Sequence, residues 1–178
     1  EMAEVFEHAA THDALTGLPN RKLLLDRLEL AIARARRYRE VLAVIFIDLD
    51  GFKAINDTVG HQAGDRVLQA VADRLRQLVR ASDTVARLGG DEFVVLLPGV
   101  GGTDNAVRVA EKILRAVGEV IRFNEHALYV TPSLGIALWP EHGDGADVLL
   151  RRADHAMYHV KSRGKAGHAV WDPALDAE

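Results

Sequence analysis

The chain has 178 residues, of which 48% are hydrophobic and 27% charged, as is typical of one globular domain with an ordinary core. A formal net charge of -4 argues against the broad basic surface of a nucleic-acid-binding protein, so we expect no nucleic acid partner. The chain lacks cysteine, which excludes disulfides and thiolate metal sites. Its longest apolar run, residues 41 to 47, is too short to cross a bilayer, which needs roughly 20 residues.

The chain begins at Glu1 rather than at a methionine, so we expect a piece of a longer protein. We expect this piece to be a cytoplasmic domain, and a membrane anchor in the parent chain stays open. Residues 1 to 12 carry apolar side chains on one side of a predicted helix. Because a helix this short is marginal alone, we interpret it as a connector from an upstream sensory domain.

From residue 13 onward, hydrophobic periodicity predicts a single domain of helices and strands that ends near residue 173, with a tail over 174–178. Asn20 is a good N-cap for the first helix of this domain. The predicted helices cover residues 20–39, 63–80, 103–117 and 146–162, and the predicted strands cover 41–48, 84–88, 92–97, 127–138 and 169–171. This order predicts an α+β fold, with helices packed on the faces of a mixed sheet.

Four acidic residues lie at predicted strand ends. Asp48 and Asp50 end a buried strand, and Asp91 and Glu92 follow a paired-glycine turn that joins two strands as a hairpin. If the first strand lies beside the hairpin, these carboxylates converge at one edge of the sheet. A divalent cation removes the repulsion between such carboxylates, and hard oxygen ligands with phosphate-bearing substrates favour Mg²⁺.

The Gly-Gly-Asp tripeptide at residues 89–91 would by itself indicate only a solvated hairpin turn, because short motifs often match by chance. The second acidic cluster favours a nucleotide site, since glycines without a Cβ let a nucleotide approach the backbone closely. The chain has no phosphate loop of the G-x-x-x-x-G-K-[ST] type. A nucleotide would therefore be held by metal ions and scattered basic residues.

Four blocks of sequence resemble the GGDEF family of diguanylate cyclases, and they occur in the family's order. They are residues 13–21 (DALTGLPNR), 48–65 (DLDGFKAINDTVGHQAGD), 89–93 (GGDEF) and 153–161 (ADHAMYHVK). The resemblance covers residues 13 to about 168, and its second and third blocks are long and specific. It implies a central, mostly antiparallel sheet flanked by helices, related to nucleotidyl cyclase and polymerase palm domains.

The resemblance implies an enzyme that joins two GTP molecules into cyclic di-GMP and releases pyrophosphate. Asp48, Asp91 and the Leu49 backbone carbonyl then resemble the ligands of Mg²⁺ or Mn²⁺, with two ions per active site. Asp91 also matches a proposed base for the ribose 3′ hydroxyl, and Glu92 is expected to support the metal and phosphate site. Lys53 resembles the family lysine that neutralises charge on the phosphates.

Guanine recognition is implied at Asn56 and Asp65, with Phe52 as a further substrate-binding residue. A carboxylate accepts hydrogen bonds from guanine N1 and N2, whose hydrogens adenine lacks. Leaving such a buried acceptor unpaired is costly, so the acceptor discriminates between the two bases. Without the surrounding block, Asp65 would be interpreted as an acidic residue favoured by a helix N-terminus.

Lys161 and Lys165 match two basic residues that hold the triphosphate in the family. The family usually has Gly-Arg-Asn where this chain has Gly-Lys-Ala at residues 164–166. Lysine keeps the charge but lacks the bidentate fork of arginine. We therefore expect weaker triphosphate binding without loss of function.

Arg80 and Asp83 match the R-x-x-D product-binding site of the family, at the family's spacing from the paired glycines. Such a short pattern alone would indicate only a helix-ending arginine followed by a turn aspartate, and the fixed spacing favours the product site. Cyclic di-GMP bound there would inhibit the enzyme, with Arg80 forking onto a phosphate or a guanine.

Each domain would bind one GTP, so the resemblance implies a catalytic homodimer in which each 3′ oxygen attacks the other nucleotide. Two alternatives stay open. One is a catalytically weak GGDEF domain that binds GTP or cyclic di-GMP and regulates an attached downstream phosphodiesterase. The other is a different purine nucleotide cyclase on the same fold. Intact Asp48, Lys53, Asp91 and Glu92 argue against the first alternative, and Asp65 argues against the second.

Overall fold

A five-stranded sheet organises the protein, seen here in a computed structural model that describes residues 2 to 176. The strands along the chain are β1 (Leu42–Asp50), β2 (Thr84–Gly89), β3 (Glu92–Leu97), β4 (Ile121–Phe123), β5 (His126–Leu128), β6 (Thr131–Trp139) and β7 (His168–Val170). The large sheet has the order β2-β3-β1-β6-β7, and only the β6–β7 pair is parallel. The predicted α+β fold with a mostly antiparallel sheet is confirmed.

Helices cover both faces of this sheet. They are α1 (Met2–Thr11), α2 (Arg21–Tyr38), α3 (Phe52–Thr58), α4 (His61–Leu78), α5 (Thr103–Val117), α6 (Ala146–Ser162) and α7 (Pro173–Asp176). Helices α4 and α5 contribute to the core on one face, and α2 and α6 contribute to the core on the other. None of the helices within residues 2–176 combines the length and hydropathy that crossing a membrane requires.

Strand β1 lies between the two cores and contributes to both. Ala43, Ile45 and Ile47 belong to the core of α4 and α5, while Val44 and Phe46 belong to the core of α2 and α6. Successive side chains of a strand point to opposite faces of the sheet. Asp48 continues the even-numbered positions of β1. The alternation therefore directs its side chain toward the face of the sheet that α2 and α6 cover.

Helix α2 begins as predicted, because Asn20 Oδ1 accepts a hydrogen bond from the Leu23 N–H at 3.2 Å. Its buried stripe is Leu24, Leu28, Ile32 and Ala35. From the sequence, apolar spacing predicts a stripe of Leu24, Leu28, Ala31 and Ala35, and the structure corrects Ala31 to Ile32. The i,i+4 step from Leu28 explains the correction, since it keeps the larger side chain over the sheet.

Three short elements depart from the predictions. Helix α3 was missed, because seven residues rich in turn formers give no clear helical period. The predicted strand over 127–138 is two strands, β5 and the long β6, separated by two unpaired residues, and β4, which pairs with β5 as a small hairpin, was not predicted. The predicted end of the domain, residue 173, and the first part of the predicted tail, residues 174–176, form helix α7. Residues 177 and 178 of that tail lie outside the described residues.

The predicted connector is helix α1, none of whose described residues is buried. Residue 1 of the predicted connector lies outside the described residues. Met2, Val5 and Phe6 are exposed on α1. The helix leads through a turn at residues 13–20 into α2, so it joins the domain beside its first sequence motif.

Candidate active site

The sheet brings the two predicted acidic clusters together at one edge. Strands β1 and β3 pair so that Asp48 lies opposite Glu92, and the Leu49 N–H donates to the Asp91 carbonyl oxygen at 3.3 Å. Along β3, even-numbered residues again belong to the α2/α6 core, so Glu92 shares a face with Asp48. The predicted convergence of these carboxylates is confirmed, and their roles stay predictions.

The β2–β3 turn carries Asp91 itself. The sequence interpretation placed the turn at Gly89 and Gly90, but Gly89 already pairs with Glu92, so the two turn residues are Gly90 and Asp91. A register shift between Arg87 and Gly89 supplies the extra residue. Gly90 has φ +49°, a left-handed conformation that favours glycine.

Arg87 connects this turn to the first sequence motif. Its Nε and Nη2 donate to the Gly90 carbonyl oxygen at 3.0 and 2.8 Å, and its Nη1 donates to Asp13 Oδ1 at 2.8 Å. Asp13 Oδ2 accepts from the Thr16 N–H and hydroxyl at 2.9 and 2.7 Å. The turn that follows α1 is therefore bonded to the residue that precedes Asp91. The sequence motifs include Asp13 but gave it no partner, and Arg87 had not been predicted as part of the site.

Burial and mutual repulsion raise the pKa values of two carboxylates at this edge, Asp91 and Glu92. Burial raises the pKa of Asp91, the charge of Asp48 raises it further, and Lys161 opposes this. Burial also raises the pKa of Glu92, followed by the charges of Asp154, Asp48 and Asp91. The cluster is thus short of positive charge, which is the condition that favours a bound cation.

Asp154 is a member of this cluster to which sequence reasoning gave no role. It lies on α6, and burial raises its pKa, with a further rise from the charge of Asp48. His155 and Arg21 act in the opposite direction. The residue stands in the fourth sequence block, so the signal was present, but only the packing of α6 on the sheet shows its neighbours.

Lys161 is the cation nearest to these acids. Its Nζ lies 2.8 Å from Asp48 Oδ1 and 2.8 Å from Asp50 Oδ1. Burial would lower the pKa of Lys161, but its hydrogen bonds to the two aspartates outweigh burial and raise it. The structure therefore places this predicted triphosphate residue directly beside a predicted metal ligand.

Asp50 has a structural role. Its buried carboxylate accepts from Thr131 Oγ1 at 2.8 Å, Ser133 Oγ at 2.9 Å and the Ala166 N–H at 3.1 Å. Burial would raise its pKa, but hydrogen bonds from Lys161, Thr131 and Ser133 outweigh burial and lower it. Asp50 thus fixes the end of β1 to β6 and to the loop after α6.

The predicted nucleotide residues lie on α3 and α4, directly after β1. Lys53 is exposed in the first turn of α3, and Phe52 is only 9% exposed because it belongs to the core under that helix. Asn56 is half-buried on α3. Asp65 is exposed near the start of α4, so the sequence argument from a buried acceptor does not hold for the protein alone. The role of Asp65 in guanine recognition stays a prediction.

Lys165 lies in a loop of left-handed residues. Gly164, Lys165 and Ala166 have φ values of +115°, +65° and +52°. Asparagine, which the family usually has at position 166, adopts left-handed conformations more readily than alanine. The departure at positions 165 and 166 therefore combines a lysine at a predicted phosphate-binding position with a less favourable backbone at Ala166.

The oxygen atoms available for a metal are few. Between residues 2 and 176, no group of three or more His, Asp or Glu side chains is arranged to hold a metal ion. The candidates are the carboxylates of Asp48 and Asp91 and the Leu49 carbonyl. These hard oxygens fit Mg²⁺ or Mn²⁺, because Mg²⁺ is commonly held by one or two carboxylates together with waters and substrate phosphates.

The predicted product site lies at the opposite end of the β2–β3 hairpin. Arg80 Nη2 and Nε donate to Asp83 Oδ1 and Oδ2 at 2.8 and 3.2 Å, and Nη2 also donates to the Pro98 carbonyl at 2.8 Å. A cleft of about 300 Å³ is lined by both residues together with Arg108 and Lys112. Three basic side chains thus line one cleft, and Arg108 and Lys112 had not been predicted.

Comparison with known proteins agrees with this architecture. The family model described as "Diguanylate cyclase, GGDEF domain" matches residues 10–167. The bifunctional diguanylate cyclase/cyclic di-GMP phosphodiesterase MucR of Pseudomonas aeruginosa is 47% identical over 94% of this chain, which spans 24% of MucR. The diguanylate cyclase TpbB of the same organism is 48% identical over 92% of this chain, which spans 38% of TpbB.

Solved structures show the same fold. The isolated GGDEF domain of TpbB superposes with a TM-score of 0.91 at 44% identity, covering 93% of this chain and 97% of that domain. The coiled coil and GGDEF domain of DgcB from Caulobacter crescentus, solved with c-di-GMP, gives 0.85 at 29% identity, covering 95% and 90%. The family match spans most of the sequence. The chain therefore belongs to the GGDEF domain family of diguanylate cyclases.

Proposed function

We propose that this chain is the catalytic domain of a diguanylate cyclase that condenses two GTP molecules into cyclic di-GMP and two pyrophosphates. The observation that carries the proposal is the gathering of Asp48, Asp91, Glu92 and Lys161 at one sheet edge, next to the helices that bear the predicted nucleotide residues. Phosphoryl transfer needs little covalent chemistry from a protein, so positioned charges at such an edge suffice.

In the proposed reaction, each ribose 3′ oxygen bonds to the α-phosphorus of the other GTP. Two phosphorus–oxygen bonds form, the two α–β phosphoanhydride bonds break, and two pyrophosphates and two protons leave. Asp91 accepts the proton of the 3′ hydroxyl. Without a metal ion, burial and the charge of Asp48 raise the pKa of Asp91, which favours proton acceptance by its carboxylate, and a bound cation would act in the opposite direction.

GGDEF diguanylate cyclases need a divalent metal ion. In this chain, Asp48, Asp91 and the Leu49 carbonyl would hold it, and we propose two Mg²⁺ or Mn²⁺ ions per site. The bound ions would supply positive charge to the attacking oxygen and to the phosphates. Glu92 would add a further negative charge beside these ligands and so favour the bound cations.

The nucleotide would be bound by residues on three helices and one loop. Asn56 and Asp65 recognise guanine, with Phe52 beneath them in the core. Lys53 neutralises phosphate charge from the first turn of α3, and the other two predicted phosphate-binding lysines, Lys161 and Lys165, approach the triphosphate from the end of α6 and the loop after it.

One domain holds one GTP, so the second nucleotide has to come from a second copy. We propose a homodimer for catalysis, with an upstream sensory domain controlling its assembly through α1. The chain spans about a quarter to two-fifths of the curated relatives MucR and TpbB. A downstream phosphodiesterase domain and a membrane anchor in a cytoplasm-facing parent chain are proposals of the same kind.

The cleft at Arg80 and Asp83 would bind the product. Its three basic side chains match the two phosphates of cyclic di-GMP, and Arg80 can fork onto a phosphate or a guanine once it leaves Asp83. Bound product would then inhibit the enzyme. The neighbour DgcB was solved in complex with c-di-GMP, which supports product binding by a related domain.

A second candidate function follows from the left-handed loop. Lys165 and Ala166 differ from the residues usual in the family, which would weaken the predicted binding of the triphosphate. The relative MucR is bifunctional. A catalytically weak domain that binds GTP or cyclic di-GMP and regulates an attached phosphodiesterase would fit these two facts. It differs from the first proposal in binding GTP without forming product.

The test is to incubate the domain with GTP and Mg²⁺, alone at high concentration and fused to a dimerising coiled coil, and to separate the nucleotides. We expect cyclic di-GMP and pyrophosphate in a 1:2 ratio, with a faster rate per domain in the fusion. Asp48→Asn should abolish product, and Asp26→Asn, an exposed control on α2, should not. GTP binding without product in either format would favour the regulatory function, and a domain that binds neither GTP nor cyclic di-GMP would contradict both.

A further inference from the structure

Gly64 lies where the side chain of Asn56 crosses helix α4. It is buried in the second turn of that helix, with an ordinary helical hydrogen bond from its N–H to the Gly60 carbonyl at 3.2 Å. A Cβ built on Gly64 would overlap Asn56 Oδ1 and would lie 2.9 Å from its Cγ and 3.4 Å from its Nδ2. The carboxamide of Asn56 therefore occupies the space that any other residue at position 64 would fill.

The obstacle to a larger residue is the side chain of Asn56 alone. No backbone atom lies among the three nearest neighbours of the Gly64 Cβ position. Its φ is outside the left-handed range, unlike that of Gly60 at +113°. An alanine would thus keep the backbone of α4 and would displace the flexible end of Asn56. Since alanine is a better helix former than glycine, the fold has no local need for glycine here.

We propose that Gly64 is a positioning residue for base recognition: its missing Cβ lets the Asn56 carboxamide lie against the start of α4, beside Asp65. The next residue in the chain is Asp65, so the Asn56 carboxamide lies against the residue that directly precedes the other predicted guanine-recognition residue. This inference rests on the proposed role of Asn56 in binding guanine. Gly64 itself touches no base and acts only through Asn56.

Gly64→Ala should separate stability from function. We expect the thermal unfolding midpoint to stay the same or rise, because the change improves helix propensity and displaces only a side-chain end. GTP affinity should fall roughly two- to tenfold, the cost of a misplaced neutral hydrogen bond. ATP affinity, which does not use guanine contacts, should not change.

The experiment is a double-mutant cycle on the whole chain, with GTP and ATP titrations and thermal unfolding of Asn56→Ala, Gly64→Ala and the double variant. If Gly64 acts through Asn56, the double variant binds GTP as weakly as Asn56→Ala alone, with no further loss. A further loss in the double variant would show that the methyl acts elsewhere and would overturn the inference.

The remaining outcomes separate this inference from the proposed function. Weak GTP binding by Asn56→Ala with wild-type binding by Gly64→Ala would overturn the positioning role and leave guanine recognition by Asn56 intact. Wild-type GTP binding by Asn56→Ala would overturn both roles. A Gly64→Ala variant with a lower unfolding midpoint and equal losses for GTP and ATP would show that the glycine is structural.

Discussion

Single residues tie the active-site turn to the segment that follows α1. Asp13 accepts two hydrogen bonds from Thr16 and pairs with Arg87, which in turn holds the Gly90 carbonyl. The Asp13 side chain is 19% exposed, so its ion pair with Arg87 is partly shielded from water. The carboxylate thus stabilises the position of the turn from which Asp91 projects.

Stability should depend on Asp13 in a pH-dependent way. Burial would raise its pKa, but the hydrogen bonds from Thr16 and the charge of Arg87 outweigh burial and lower it below the ordinary value of 3.8. A lowered pKa means that the folded protein gains stability above pH 3.8 and loses this gain as the pH falls through the folded-state pKa. Asp13→Asn should therefore reduce the unfolding free energy at pH 7 by about 1–3 kcal/mol.

The measurement is denaturant unfolding of wild type and Asp13→Asn at pH 7 and at steps down to pH 3. The difference between them should shrink below pH 3.8. Asp26→Asn, an exposed substitution of the same kind, should match wild type throughout. A difference that is constant with pH would mean that the charge of Asp13 contributes nothing.

Helix α6 carries Asp154 and Lys161 and packs closely against the sheet. Gly135 on β6 allows this approach, since a Cβ there would overlap the Ala153 carbonyl oxygen and the Met157 amide nitrogen. These are backbone atoms, so the helix itself would have to move. This contrasts with Gly64, where only a side chain is in the way.

Gly135→Ala should therefore lower both stability and activity. We expect a loss of about 1–3 kcal/mol in unfolding free energy from overpacking, and a reduced rate because α6 shifts Lys161 away from Asp48. Gly167→Ala is the matched control, since its Cβ would meet Val160 Cγ1 at 3.6 Å and the Lys165 carbonyl oxygen at 3.9 Å, both ordinary contact distances. Equal stability of the two variants by thermal unfolding would contradict this account of the packing.

Long periodic elements were predictable from sequence, and short ones were not. The helices over 103–117 and 146–162 were predicted with their observed bounds, because their apolar spacing extends over four turns. Helix α3 and the β4–β5 hairpin are too short for any period to be visible. Their places are determined by contacts with the rest of the domain, which residue spacing does not show.

The sequence motifs identified the candidate residues of the site but not the contacts between them. Strand pairing then confirmed that Asp48 and Glu92 meet, as the abrupt acidic strand ends had suggested. The neighbours of Asp154 and the bonds of Arg87 depend on how α6 and the turn at residues 13–20 pack, and no local pattern encodes them. Asp65 was expected as a buried acceptor and is exposed near the start of α4, because residue identity in a motif does not determine burial.

Across the whole molecule, the β2–β3 hairpin separates two proposed sites. Asp91 lies at its turn, and Arg80 and Asp83 lie just before its open end, where Arg80 contacts the Pro98 carbonyl. Six residues of strand place the two ends roughly 15–20 Å apart. If product binds at the proposed product site, this separation predicts that it would act through the pairing or orientation of domains, without covering the acids directly.

The most direct test of this account is the full time course of cyclic di-GMP formation by wild type, Asp91→Asn and Arg80→Ala, each as a coiled-coil fusion. We predict that wild type slows as product accumulates, that Asp91→Asn loses at least about 100-fold in initial rate, and that Arg80→Ala starts at the wild-type rate without slowing. Substantial product from Asp91→Asn would contradict the proposed active site. A wild-type decline in Arg80→Ala would contradict the proposed product site.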